Sequence, residues 1–178
     1  MALGASVYKV NLNLSDTDRH LYGDSKLTLA RHPSETEERM MVRLLAYCLN
    51  ASDDLRFGKG LSTDDEPDLW HVDAAGVIHQ WIEVGQPSLE RLKKGRSRSR
   101  AQKIYSAGRG RDQWWQSNAA EFAKFQHLTV RHLSETEVAE LAMLAAKNMT
   151  LSVCICEGNA FFSSADQSVN ITPLTELP

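Results

Sequence analysis

The hydrophobic period of this chain switches repeatedly between two values, and that switching limits the folds open to it. Over residues 5–14, Tyr8, Val10, Leu12 and Leu14 alternate with Lys9, Asn11 and Asn13, the period of two expected of a half-buried strand. A second strand over 25–31 places Leu27 and Leu29 on one face. The polar, turn-prone stretch from Asp16 to Asp24 makes the two an N-terminal hairpin or strand pair. The period then lengthens. Met40, Met41, Leu44, Leu45 and Cys48 form one stripe, with Glu38, Arg39 and Arg43 off it, which predicts an amphipathic helix reaching about Leu49. Ser34-Glu35-Thr36-Glu37 reads as its capping box, Ser34 capping and Glu37 reaching back. Pro33 disfavours helix upstream.

The alternation continues. Strands are expected at 55–58, 69–73, 77–84, 101–107 and 127–132, and 150–157 reads as a central strand because it is almost continuously apolar. A short helix starts near Ser88 and carries Arg91 and Lys94. A second covers 112–126, where Trp115, Ala119, Phe122 and Ala123 share a face. The segment Arg131-His132-Leu133-Ser134-Glu135-Thr136-Glu137 echoes residues 31–37 and opens a last helix ending near Lys147. The echo is either a distant duplication or reuse of a strand-to-helix transition, and the differing flanking patterns favour reuse. From Ser164 the chain turns often and is expected either to pack as an extended edge or to remain mobile. The expectation is an α/β (α+β) protein with a mixed sheet, forming one domain over residues 1–178.

No apolar run approaches membrane-spanning length. The opening residues, Met1 to Ser6, have neither a basic segment nor a long apolar stretch, so a leader is not expected and the cytoplasm is the default. Cys154 and Cys156 flank one residue of a strand and share a face, where they are expected as small buried hydrophobes. A formal net charge of -3 argues against a nonspecific nucleic-acid binder. The average hides a basic run from Arg91 to Arg111 that contains Lys93, Lys94, Arg96, Arg98, Arg100, Lys103 and Arg109 and no acid. It is either a solvated face or a phosphate-facing surface.

The chemistry-bearing constellation is Glu66-Pro67-Asp68 before one strand and Glu83, in Trp81-Ile82-Glu83-Val84-Gly85-Gln86, at the end of the next. If the two strands are neighbours, Asp68 and Glu83 meet, and Mg2+ or Mn2+ is the cation such hard oxygens take. It would polarise a phosphodiester and lower the pKa of an attacking water. Glu38 would add a ligand, with Glu37 already explained by the cap. Lys94 and Gln86 would position phosphate and water, and Arg91 would clamp phosphate beside Lys94 on one helix face. Solvated turn carboxylates and surface cations are the simpler reading of the same residues. His32, His71 and His79 lack metal-binding spacing, and Trp70 and Trp81 read as packing residues.

Taken together, Arg31-His32-Pro33-Ser34-Glu35-Thr36-Glu37-Glu38-Arg39-Met40, Gly60-Leu61-Ser62-Thr63-Asp64-Asp65-Glu66-Pro67-Asp68-Leu69-Trp70 and Trp81-Ile82-Glu83-Val84-Gly85-Gln86-Pro87 resemble the YaeQ family over nearly the whole chain. That family's fold is similar to the PD-(D/E)XK, or restriction-endonuclease-like, nucleases. The resemblance implies a restriction-endonuclease-like core with an added N-terminal strand pair. Pro67-Asp68 would match the first half of the nuclease motif and Glu83 its second acid, with Glu38 or Glu37 as the acid on the first helix. Gly85 stands where the motif has lysine, and Lys94 would replace that charge from the next helix. The implied functions are a metal-dependent phosphodiester hydrolase, a nucleic-acid-binding module without cleavage, or a protein-interaction or regulatory factor. Partners are accordingly nucleic acid, another phosphate-containing substrate, or protein, with no membrane.

Overall fold

The computed structural model describes residues 4–176; Met1, Ala2 and Leu3, part of the segment from which absence of a leader is expected, lie outside the described residues. The chain forms two compact units, one of Met1–Leu49 with Thr136–Pro173 and one of Asn50–Glu135 with Leu174–Pro178. Together they hold two sheets and four α-helices among the described residues, a mixed α/β fold.

In the first unit, β1 (Ser6–Asp16) and β2 (Leu21–Arg31) are an antiparallel hairpin, with Val10 opposite Leu27. Both strands run further than the polar sequence between them suggests. Asp16 is buried and accepts from the Arg19 amide at 3.0 Å and from Arg19 Nε at 2.6 Å, so a four-residue turn satisfies itself. β8 (Asn148–Cys156) lies parallel to β1 and antiparallel to β9 (Asn159–Ser163), and β10 (Ser168–Ile171) closes that edge. The order is β10-β9-β8-β1-β2, so 150–157 does supply an interior strand. Its burial alternates, however. Met149, Leu151, Val153 and Ile155 are buried, whereas Cys154 and Cys156 share the opposite, exposed face. The two cysteines are therefore not core residues.

Helix α1 (Glu37–Asn50) departs from the expected cap. Thr36 Oγ1, not Ser34, accepts from the backbone amide three residues on, Arg39 N, at 3.1 Å. Ser34 Oγ is engaged by His32 Nδ1 at 2.6 Å. Glu37 does not reach back to the cap, because its carboxylate accepts from Tyr8 Oη at 2.9 Å. Arg43 also leaves its expected polar face. It is buried and grips the buried Glu35 carboxylate through Nε and Nη2, each at 2.7 Å, the two-pronged geometry that makes a buried arginine tolerable. Helix α4 (Glu135–Ala142) stops short of Lys147. Its backbone bonds tighten to the i−3 pattern at Leu144 and Ala145 as the chain turns toward β8.

The second unit begins with an antiparallel meander, β3 (Leu55–Phe57), β4 (Leu69–Val72) and β5 (Ile78–Val84). Asp73 Oδ1 accepts from the Ala75 and Val77 amides, each at 2.9 Å, and closes the turn between β4 and β5. Helix α2 (Leu89–Arg98) then carries the chain to β6 (Ser99–Ser106), parallel to β5. Helix α3 (Arg111–Phe122) does the same between β6 and the parallel β7 (Leu128–His132). β11 (Leu174–Glu176) adds antiparallel to β7, so part of the C-terminal tail takes the extended-edge alternative. Beneath the two helices Leu92, Ile104, Phe122, Phe125, Leu128 and Val130 form a core, against which Trp114 and Trp115 are half-buried.

Candidate functional site

The register of the meander brings the two acids together. Leu69 pairs with Ile82 across β4 and β5, and one step along lie Asp68 and Glu83. Asp68 is 0% and Glu83 1% exposed. The Val84 amide donates to Asp68 Oδ2 at 2.8 Å. Trp81 shares a strand face with Glu83, and its indole Nε1 donates to Glu83 Oε1 at 2.7 Å. The packing tryptophan thus also holds a carboxylate.

The counter-charge comes from α2. Ser88 caps this helix, its Oγ accepting from the Arg91 amide at 3.2 Å. The Arg91 side chain donates through Nε to Glu83 Oε1 at 2.8 Å. Its other nitrogens reach the carbonyls of Thr63 (3.1 Å), Glu66 (2.6 Å) and Gly60 (3.4 Å). One guanidinium therefore ties the strand carboxylate to the loop that leads into Asp68. Two glycines make the geometry available. A Cβ on Gly95 would lie 2.6 Å from Gln102 Nε2 and 2.9 Å from the Trp81 ring, so its absence lets α2 rest on Trp81. Arg91 is one turn earlier on the same helix face and so overhangs Glu83. Gly60 has φ +49°, and a Cβ there would come within 2.6 Å of Asp68 Oδ1. The loop closes on that carboxylate because residue 60 has no side chain.

Burial pushes Glu83 up from an ordinary 4.5 to about 7, and the neighbouring Asp68 carboxylate adds to the effect. Arg91 and the Arg91 and Trp81 hydrogen bonds pull the other way without offsetting it. Displacements of this kind, from desolvation plus a like-charged neighbour, concentrate at functional sites.

The remaining candidates are placed elsewhere. Lys94 Nζ donates to Asp65 Oδ1 at 2.9 Å and to the Asp64 carbonyl at 3.2 Å, not to the acid pair. It lines, with Asp64, Ser88, Glu90 and Arg91, a cleft of about 290 Å³ on the outer side of Arg91. Gln86 Nε2 donates to the carbonyls of Ala107 (3.1 Å) and Arg109 (3.0 Å) and so ties the end of β5 to the loop before α3. Glu38 is exposed on the first turn of α1, in the other unit. His79 pairs with Asp73 at 2.7 Å and His71 lies 3.7 Å from Asp54. Asp68, Glu83 and Arg91 thus converge, while Lys94 and Gln86 do not join them. Gly60 and Gly95, which shape the site, are flagged in the sequence only as a glycine in a loop and a glycine inside a helical pattern.

The acid pair is already partly satisfied by protein donors. Glu83 Oε1 already accepts from two N–H groups, and a guanidinium supplies the positive charge. No cluster of three His, Cys, Asp or Glu suited to a metal occurs among the described residues. The geometry is that of a sealed, arginine-neutralised carboxylate pair.

Fold and site together define a mixed α/β protein with a buried acid pair where an antiparallel meander passes into parallel strand–helix–strand units. Residues 1–173 match the family model described as YaeQ protein, and the chain belongs to the YaeQ family. It is 40% identical over 172 residues to the uncharacterized protein YaeQ of Salmonella typhi, covering 96% of this chain and 95% of that one. It is 38% identical to the Escherichia coli K12 counterpart over the same shares. The crystal structure of the YaeQ protein from Xanthomonas axonopodis pv. citri superposes with a TM-score of 0.91 at 40% identity, covering 97% of this chain and 98% of that one. That of the Pseudomonas syringae protein gives 0.92 at 34% identity, over 98% and 97%. No helix among the described residues is long and apolar enough to cross a membrane.

Proposed function

We propose that this protein is a restriction-endonuclease-like, PD-(D/E)XK-related module that engages nucleic acid without metal-dependent cleavage. In this reading Asp68 and Glu83 descend from a catalytic pair and now lock the loop over residues 60–66 against α2. One observation carries it: Arg91 Nε lies 2.8 Å from Glu83 Oε1, supplying the charge a cation would otherwise bring. Gly85 at the position of the motif lysine points the same way. The basic segment from α2 into β6 supplies the phosphate-facing surface, and the protein works in the cytoplasm.

The hydrolase reading stays in contention through a different observation. Two carboxylates on adjacent strands, one of them raised to about 7, resemble an acid pair poised for chemistry. It requires Arg91 to leave Glu83, so that Asp68 and Glu83 are free for Mg2+ or Mn2+. Titration of labelled single- and double-stranded oligonucleotides, with and without Mn2+, separates the two. Binding that is salt-sensitive, metal-independent and free of cleavage supports the module. Metal-dependent cleavage abolished by Asp68→Ala would establish the hydrolase. Absence of both would direct attention to a protein partner.

A further inference from the structure

Four cations of the basic run are committed to ion pairs among the described residues. Arg91 holds Glu83, Lys94 and Arg98 share the Asp65 carboxylate, and Arg111 pairs with Asp112. Arg96 and Arg100 have no ion pair among the described residues. Both line one cleft of about 180 Å³ with Ser99, Gln102, Gln126 and His127. The cleft is built where α2 ends, β6 begins and the chain turns into β7, and none of its lining residues is an acid.

Its walls are held in place. The Arg96 guanidinium sits over the Phe125 ring, 5.2 Å from the centroid, and Phe125 belongs to the core under α2 and α3. A guanidinium stacked this way is pre-aimed and still presents its edge N–H groups. His127 adopts φ +61°, uncommon for a residue with a side chain, and its carbonyl accepts from the Gln102 amide at 2.9 Å. Gln102 Nε2 in turn donates to the Leu92 carbonyl at 2.9 Å. The turn presenting His127 is therefore pinned to the strand beside it.

We propose that this cleft is a binding site for a phosphate group, distinct from the acid pair. Two guanidiniums and an imidazole around an acid-free hollow favour a tetrahedral oxyanion, which the planar fork of arginine matches with paired N–H donors. The hollow is smaller than the roughly 300–1,000 Å³ of pockets that enclose organic ligands, so it takes the phosphate and leaves whatever carries it outside. The phosphate comes either free or as part of a nucleic-acid strand. The site rests on its own geometry and does not require the module reading to be right.

The test is calorimetric titration of the full chain with inorganic phosphate, and with a single-stranded oligonucleotide over a series of salt concentrations. Wild type is compared with Arg96→Ala/Arg100→Ala and with Arg96→Lys/Arg100→Lys, which keeps charge and loses the fork. Both arginines are exposed, and matched melting curves confirm that the variants fold. We expect the alanine pair to lose tenfold or more in phosphate affinity and the lysine pair to recover part of it. If the strand is the natural source, oligonucleotide affinity falls too, and the slope of log K against log salt drops by about 1 or more. Loss of phosphate binding alone assigns the site to a free phosphate, even if the chain binds no oligonucleotide. Phosphate affinity unchanged in the alanine pair, or no phosphate binding by wild type, overturns the proposal.

Discussion

Replacing Glu83 by Gln tests the buried acid pair most directly. Folded, Glu83 titrates near 7; unfolded, it would return to about 4.5. Below pH 4.5 it is protonated in both states and contributes no pH dependence. Between 4.5 and 7 the unfolded chain gives up the proton that the folded chain retains, so stability falls as pH rises. Above 7 both are ionised, and the full penalty remains without further slope. At about 1.4 kcal/mol per pH unit, the window spans about 3 kcal/mol. Gln cannot ionise, yet its carbonyl oxygen can still accept from Trp81 and Arg91. Urea unfolding followed by tryptophan fluorescence suits the measurement, since Trp70, Trp81, Trp114 and Trp115 all belong to the unit that holds the site. The expected result is a wild-type-minus-variant stability that falls by about 3 kcal/mol from pH 4.5 to 7.5. Other titrations common to both chains cancel in that difference. A difference that stays flat, or rises with pH, would show that Arg91 outweighs burial and would refute the reasoning.

Three further substitutions probe the local chemistry. Thr36→Ala should cost about 1 kcal/mol by removing the cap of α1, while Ser34→Ala, which leaves the Arg39 amide bond intact, should stay within about 0.5 kcal/mol. Equal losses at both positions in denaturant midpoints would restore the capping-box assignment. Gly60→Ala should destabilise by about 1–3 kcal/mol, because it adds a side chain at positive φ and drives a methyl into Asp68 Oδ1; unchanged stability and unchanged Trp81 fluorescence would count against the close-packed loop.

Local patterns were readable where one property dominated. The alternation in β1 and the stripe in α1 report burial directly, because side-chain direction follows the backbone period. The start of α2 near Ser88 was similarly local. The Ser34 cap failed because Ser34 and Thr36 offer equivalent hydroxyls, and His32 and Tyr8 decided between them by engaging Ser34 and Glu37. Cys154 and Cys156 failed for the complementary reason: an apolar run does not say that one face of an interior strand meets water.

The site divides the same way. That Asp68 and Glu83 could meet followed from two strands and a short turn, since antiparallel pairing leaves few registers. Which cation would face them could not follow. Arg91 and Lys94 are both basic, three residues apart on one helix, and their spacing does not rank them. Gly95 ranks them by letting α2 rest on Trp81 and setting Arg91 over Glu83, while Asp64 and Asp65 hold Lys94 outside. Periodicity is a property of neighbouring residues, and sequence order carries it. The pairing of one buried charge with another depends on approach distance and desolvation, which exist only once the helix lies on the sheet.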